Sequence, residues 1–216
     1  MKGKCILMTI DGMRPDGFLS CGNNFVKEMM ARSRYTLRAS SVFPPVTLPA
    51  HLSIFHSVPP QRHGTMTNDY MPPVHAISGL FEQIKYAGGR SAMFYGWEPI
   101  RDIARPKSLR HAEYIWAYSH ESSDTVLTER ALAHIKEMQP DFVFLYLVET
   151  DEKGGHDRTH GMQIPEDMTI PMFFFGKGFL PGEETKDVTL LDLAPTIADV
   201  LGIPAAEEWE GRSLLK

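Results

Sequence analysis

The stretch from Val148 to Gly161, VETDEKGGHDRTHG, gathers Asp151, His156, Asp157 and His160 among three glycines. Carboxylates and imidazoles at such short spacing are the donor types that hold divalent cations, and glycines let a backbone fold tightly around one. A second acid, Asp11, follows the apolar run Cys5 to Ile10 (CILMTI) and precedes Gly12. Asp-Gly after a strand is also ordinary turn chemistry, so Asp11 alone leaves both readings open. The two acids together say more. Asp151 also follows an apolar run, FVFLYLV, and in parallel α/β sheets ligands collect beyond the carboxyl ends of the strands. Acids at two such ends, beside a histidine-rich loop, predict a cation site there.

The elements that must position these groups can be read from apolar periodicity and breakers. Cys5 to Ile10 reads as a buried strand ending in a turn. Asn24 to Arg34 reads as a helix with Phe25, Val26, Met29 and Met30 on one face, and Arg38 to Phe43 as a strand stopped by Pro44-Pro45. A helix is expected over Leu48 to His56, just after Thr47, with Pro49 in its permissive first turn. Ala76 to Tyr86 is amphipathic, and Gly88-Gly89 ends it. Ser91 to Tyr95 reads as a strand. Ser123 to Met138 reads as a helix whose Val126, Leu127, Ala131, Leu132 and Ile135 share a face. Phe142 to Val148 is a continuous apolar strand of the kind covered on both sides. Ile170 to Phe175 is a further strand, and Leu190 to Leu201 a helix ended by Gly202. Strands alternating with helices predict an α/β fold, a mostly parallel sheet sandwiched between helices, in a single domain over residues 1–216.

Bulk composition bounds the function. A chain of 216 residues with 43% hydrophobic content can bury one core, and no segment has a disordered composition. A net charge of −5 provides no electrostatic case for a nucleic-acid polymer as partner. Cys5 and Cys21 are too few for a disulfide framework. The apolar run near the start is shorter than a signal-peptide core, and no run approaches the ~20 apolar residues of a membrane span. These features predict a soluble, cytoplasmic protein without a membrane partner.

Four motifs in order sharpen the reading. MTIDGMRPDGF (Met8 to Phe18), VFPPVTLPAHLSIFHSVPPQRHG (Val42 to Gly64), LLDLAPTIADVLGIP (Leu190 to Pro204) and WEGRSLL (Trp209 to Leu215) together resemble the alkaline phosphatase superfamily. The nearest resemblance is to its type I phosphodiesterase/nucleotide pyrophosphatase branch and related sulfatase-like proteins. The resemblance implies an alkaline phosphatase-like core with two divalent metals at the strand ends, most often zinc, with manganese or magnesium as alternatives. Carried over residue by residue, Asp11 matches the first metal-binding acid and Thr47 the nucleophile, itself a metal ligand. Asp151, His156 and His160 match the ligands of the other metal. Asn68, in HGTMTNDY, resembles the asparagine that contacts a phosphoryl oxygen, although a plain turn residue fits TND as well. The resemblance implies hydrolysis of small phosphate diesters or nucleotide pyrophosphates through a phosphothreonine. Sulfatases proper carry a Cys/Ser-x-Pro-x-Arg pattern. TLPAH instead has Thr47 first and His51 in the arginine's place, which favours phosphoryl transfer.

Other residues have plainer readings. His51 and His56 are expected to serve packing or polar support on the helix after Thr47, and His63 to shape a turn. His75, His111, His120 and His134 fit surface or core roles, the aromatic at Trp97 loop packing, and Cys5 a small buried hydrophobe.

One interruption stands out. Only Asp157, Arg158 and Thr159 separate His156 from His160. The family normally places there a helix and a strand ending in Asp-His-Gly, a unit of roughly 30 residues or more. No Asp-His-Gly occurs elsewhere in the chain. A deletion between two Gly-Gly-His-Asp-like strings, leaving Gly154 to Asp157 as the joint, accounts for the letters. Its physical consequences are a core lacking one strand-helix unit, a new neighbour or a gap beside the strand Ile170 to Phe175, and a nucleophile-side metal held by Asp11 and Thr47, with Asp157 a speculative substitute. As few as one metal and weakened activity are expected. Two alternatives stay open: a non-catalytic remnant with at most one metal, and a phosphomutase or other phosphate-transfer enzyme of the same superfamily.

Overall fold

The computed structural model describes residues 1–72, 76–117, 122–151 and 164–215 in full, and 152–154 at the level of the backbone. In chain order the elements are β1 (Cys5–Ile10), α1 (Pro15–Ser20), α2 (Asn24–Arg32), β2 (Arg34–Ser40), α3 (Thr47–His56), α4 (Pro60–His63) and α5 (Leu80–Tyr86). They continue with β3 (Ser91–Tyr95), β4 (His111–Tyr114), α6 (Ser123–Met138), β5 (Phe142–Leu147), α7 (Glu149–Gly154), β6 (Thr169–Phe174) and α8 (Leu193–Leu201). Short 3-10 turns occupy Glu98–Ile103 and Leu190–Asp192.

Four strands pair in the order β1-β5-β3-β4, every pair parallel. β5 holds the centre because FVFLYL presents apolar side chains to both faces. On one face Phe142, Phe144 and Tyr146 pack beneath α3, α5 and α8, where Phe55 stacks on Phe81 with centroids 4.7 Å apart. On the other, Val143 and Leu145 meet Ala92, Phe94 and the buried Leu127 and Ala131 of α6. The predicted mostly parallel sheet between helical layers is the observed architecture.

β1 is covered on one face only. Cys5 and Leu7 pack into the larger cluster, whereas Ile6 and Met8 remain 57% and 48% exposed. Their register partners, Val143 and Leu145, lie under α6, and that cover does not extend to β1. Among the described residues, β1 is an edge strand.

The strand expected at Ile170 to Phe175 forms as β6, but outside the parallel sheet. It pairs antiparallel with β2, with a register shift between Thr36 and Ala39. β2 itself starts earlier than the pattern predicted. Ser33 leaves helical geometry and its hydroxyl bonds the Met29 carbonyl, so α2 stops at Arg32. Arg34 then enters the strand with its guanidinium buried on the Leu214 carbonyl and the Thr185 hydroxyl. Of the amphipathic stretch 76–86, only Leu80–Tyr86 is helical, because Gly79 serves as its N-cap and the Glu82 carboxylate takes the Gly79 N–H. Among the described residues, no helix is long and apolar enough to cross a membrane.

Candidate functional site

Parallel pairing of β1 with β5 brings the two acids to one edge of the sheet. Ile10 stands opposite Leu147, and the Asp11 N–H continues the ladder to the Leu147 carbonyl at 2.9 Å. Asp151 lies in the first turn of α7, its N–H on the Val148 carbonyl at 3.1 Å and its side chain buried.

Asp11 is the hub. Its Oδ1 accepts the Gly12 N–H at 3.0 Å, and its Oδ2 accepts the Thr47 hydroxyl at 3.0 Å and the Tyr146 phenol at 2.6 Å. Thr47 is the first residue of α3 and only 6% exposed. Its oxygen therefore sits at the positive end of the helix dipole, which favours negative charge. Val46 offers no side-chain cap there, and Asn68 supplies one from a distance: its Oδ1 accepts the Leu48 N–H at 3.1 Å. A backbone N–H needs an acceptor, so the carbonyl end of Asn68 is committed and its NH2 end is the donor.

One helical turn further, His51 ties α3 to β1. Its Nδ1 lies 2.8 Å from the Thr47 carbonyl and its Nε2 3.1 Å from the Thr9 hydroxyl. The carbonyl can only accept, so Nδ1 carries a proton, and in the neutral ring Nε2 takes the proton of Thr9. His56 and His63 are buried in the same region, on the Leu52 carbonyl and between the Ser53 hydroxyl and the Pro49 carbonyl. His56 has the packing and polar support expected of it, and His63, whose Nδ1 accepts the Thr65 N–H at 3.3 Å, stands at the expected turn. Burial, followed by the neighbouring His56, pushes His63 down to about 4.

The electrostatics follow from crowding. Burial holds the Tyr146 phenol well above its ordinary pKa, reinforced by the charge of Asp11 and their hydrogen bond, then by Asp151 and Asp124. Tyr146 is thus a fixed donor to Asp11, and the charges of Asp151 and Asp124 also bear on it.

Of the residues singled out from sequence, the structure joins Asp11 directly to Thr47, brings Asn68 to the same helix start, and sets Asp151 at the adjacent strand end. His156, Asp157 and His160 lie outside the described residues. Among the described residues, no group of three or more His, Cys, Asp or Glu side chains is close enough to hold a metal ion. Sequence reading places Tyr146 only in a core strand and misses its bond to Asp11. The available signal was a phenol in an otherwise hydrocarbon run, near the carboxyl end of the strand beside Asp11. It also missed Thr9, whose hydroxyl steadies His51.

Comparison with known proteins identifies the family and the fold. Residues 5–169 match the family model for type I phosphodiesterase / nucleotide pyrophosphatase. Over 178 residues, 72% of this chain, the sequence is 27% identical to ectonucleotide pyrophosphatase/phosphodiesterase family member 1 of Rattus norvegicus. The chain spans 19% of that relative's length. Human ectonucleotide pyrophosphatase / phosphodiesterase 5 superposes with a TM-score of 0.76 at 12% identity, covering 96% of this chain and 97% of that one. The phosphonate monoester hydrolase of Silicibacter pomeroyi superposes with a TM-score of 0.76 at 13% identity, covering 99% of this chain and 76% of that one. Likeness at such identities shows the shared alkaline phosphatase-like fold. With the family model matching most of its length, the chain belongs to the type I phosphodiesterase/nucleotide pyrophosphatase family of the alkaline phosphatase superfamily.

Proposed function

We propose that this protein is a divalent-metal-dependent hydrolase of small phosphate diesters or nucleotide pyrophosphates, with Thr47 as nucleophile and with turnover weakened by the missing Asp-His pair. The observation that carries this reading is the 3.0 Å contact between Thr47 Oγ1 and Asp11 Oδ2 at the start of α3.

The residues present fit a cation in part. Asp11 and Thr47 offer two oxygens 3.0 Å apart, a separation suited to neighbouring ligands of one ion whose bonds are about 2.0–2.2 Å. Asp151, with His156 and His160, would hold the other ion. Zinc is the first choice, with manganese or magnesium as alternatives. A bound cation would supply Lewis-acid stabilisation of charge on oxygen. Two protein ligands hold a catalytic metal poorly, which is the physical basis for weakened turnover.

The chain's own groups have defined tasks. Thr47 Oγ1, its proton given up to solvent, forms a bond to phosphorus as the bond from phosphorus to the leaving oxygen breaks, and the leaving oxygen takes a proton from solvent. The NH2 of Asn68 donates to a phosphoryl oxygen, and the positive end of the α3 dipole favours the charge there. Tyr146 holds Asp11 oriented. Water then cleaves the phosphothreonine and restores the hydroxyl.

The missing pair also favours a second reading, a non-catalytic member of the family with at most one metal. Metal content and turnover of bis-p-nitrophenyl phosphate separate the two. Slow, metal-dependent turnover that disappears in Thr47→Ala supports the enzyme. Turnover surviving Thr47→Ala removes Thr47 as nucleophile. Absence of turnover together with one metal or none per chain establishes the remnant.

A further inference from the structure

α6 and α7 hold each other by their first residues. Asp124, the second residue of α6, accepts the N–H of Val148 on Oδ1 and that of Glu149 on Oδ2, both at 3.0 Å. In return Glu149, the first residue of α7, accepts on Oε1 the N–H of Asp124 at 2.9 Å and the Ser123 hydroxyl at 3.2 Å. The opening N–H groups of a helix have no partner within it, so each carboxylate stabilises the start of the other helix. One carboxylate spanning two successive amides also restricts their orientation, as two parallel charge-assisted bonds do.

The two sides of this clamp are unequal. α6 has 16 residues and is anchored by Leu127 and Ala131 against β3 and β5. α7 has six residues, too few to hold its own geometry in isolation. α6 is therefore the template, and the β5–α7 turn is what it shapes. Val148 is also fixed from the far side: a Cβ at Gly96 would come within 2.8 Å of its Cγ1, so the glycine leaves the space that Val148 fills. Asp151 is tied to that turn through its N–H on the Val148 carbonyl.

We infer that Asp124 is a positioning residue for Asp151: its paired bonds to Val148 and Glu149 set the rotation of the first turn of α7, and with it the direction in which the Asp151 carboxylate faces the cation site. This rests on the proposal that Asp151 is a metal ligand. Outer partners that orient metal ligands typically matter 10–100-fold in affinity, about the size of effect expected here.

Manganese affinity of the purified full chain, followed by electron paramagnetic resonance titration, tests this alongside thermal melting. Asp151→Asn should abolish the high-affinity component. Asp124→Ala should weaken binding about 10–100-fold, and Asp124→Asn, which keeps one acceptor oxygen, should fall between it and the wild type. Leu201→Ala serves as the control, since it removes core packing under α8, away from the clamp. It should lower the melting temperature at least as much as Asp124→Ala while keeping wild-type affinity. Unchanged affinity in Asp124→Ala overturns the inference. So does a loss of affinity in Leu201→Ala matching that of Asp124→Ala, which would make the effect one of stability alone. A folded wild type that binds no manganese overturns the metal-ligand reading of Asp151 first, and the positioning role with it.

Discussion

β5 and β1 are neighbours in one parallel sheet, and each leads to an acid at the site, yet they are built to different standards. β5 is buried on both faces, by α3, α5 and α8 on one side and α6 on the other. β1 shares only the first of those covers, and Ile6 and Met8 face outward beyond the reach of α6. The functional contacts follow the covered side. Thr47, His51, Thr9, Tyr146 and Asp11 form one connected set of hydrogen bonds between α3, β1 and β5. The half of the candidate site that joins Thr47 to Asp11 is therefore held by core packing, and it does not depend on the exposed face of β1.

That contrast can be broken by substitution. Phe144→Ala removes a fully buried ring from the covered face and should cost about 3–5 kcal/mol, read as the shift in a urea or thermal unfolding curve. A cost below about 1 kcal/mol would mean that β5 is not the centre of the core.

Acid tests the same side through His63, which is buried beneath α3 with its pKa pushed down to about 4. The unfolded chain takes up this proton near pH 6.5 and the folded chain only near 4. The contribution is therefore intact above about pH 6.5 and is lost as pH falls toward 4, by up to about 3 kcal/mol. Stability curves measured at intervals across that window should slope downward in the wild type and less so in His63→Gln. Equal slopes would remove His63 as the cause.

Tyr146→Phe keeps the ring in the core and removes one donor from Asp11, so about 1.5–3 kcal/mol is expected, the range for hydrogen bonds to charged groups. Smallest of all, Met8→Lys on the bare face should stay within about 0.5 kcal/mol of wild type. A loss of 2 kcal/mol or more at Met8 would show that something covers this face of β1 in solution.

Legibility in the sequence tracked the range of the interactions. Ser91–Tyr95 and Ser123–Met138 were readable to the residue, because an apolar run and a helical period are local signals. β4 was invisible, since His111–Tyr114 alternates between half-buried and exposed positions and has no apolar run. The helix expected from Asn24 to Arg34 lost its end to β2, where pairing with β6 and burial of Arg34 outweighed local propensity. At the candidate site, the short motifs that carry Asp11, Thr47 and Asn68 were legible. Their contacts were not, because Asn68 reaches the Leu48 amide from 20 residues away and Tyr146 reaches Asp11 from 135.

By itself, then, the sequence determined the alternation of strands and helices, the place of Thr47 beside the start of a helix, the acids beyond two apolar runs, and the absence of any Asp-His-Gly string. Each is a property of neighbouring residues or of a short spacing. Only the tertiary structure decided that β1 lies against β5, that β6 turns away to pair with β2, that Tyr146 shares Asp11 with Thr47, and that Asp124 grips the turn carrying Asp151. Those outcomes depend on which distant strands pair and in what register, and that is settled by burial summed over the whole sheet.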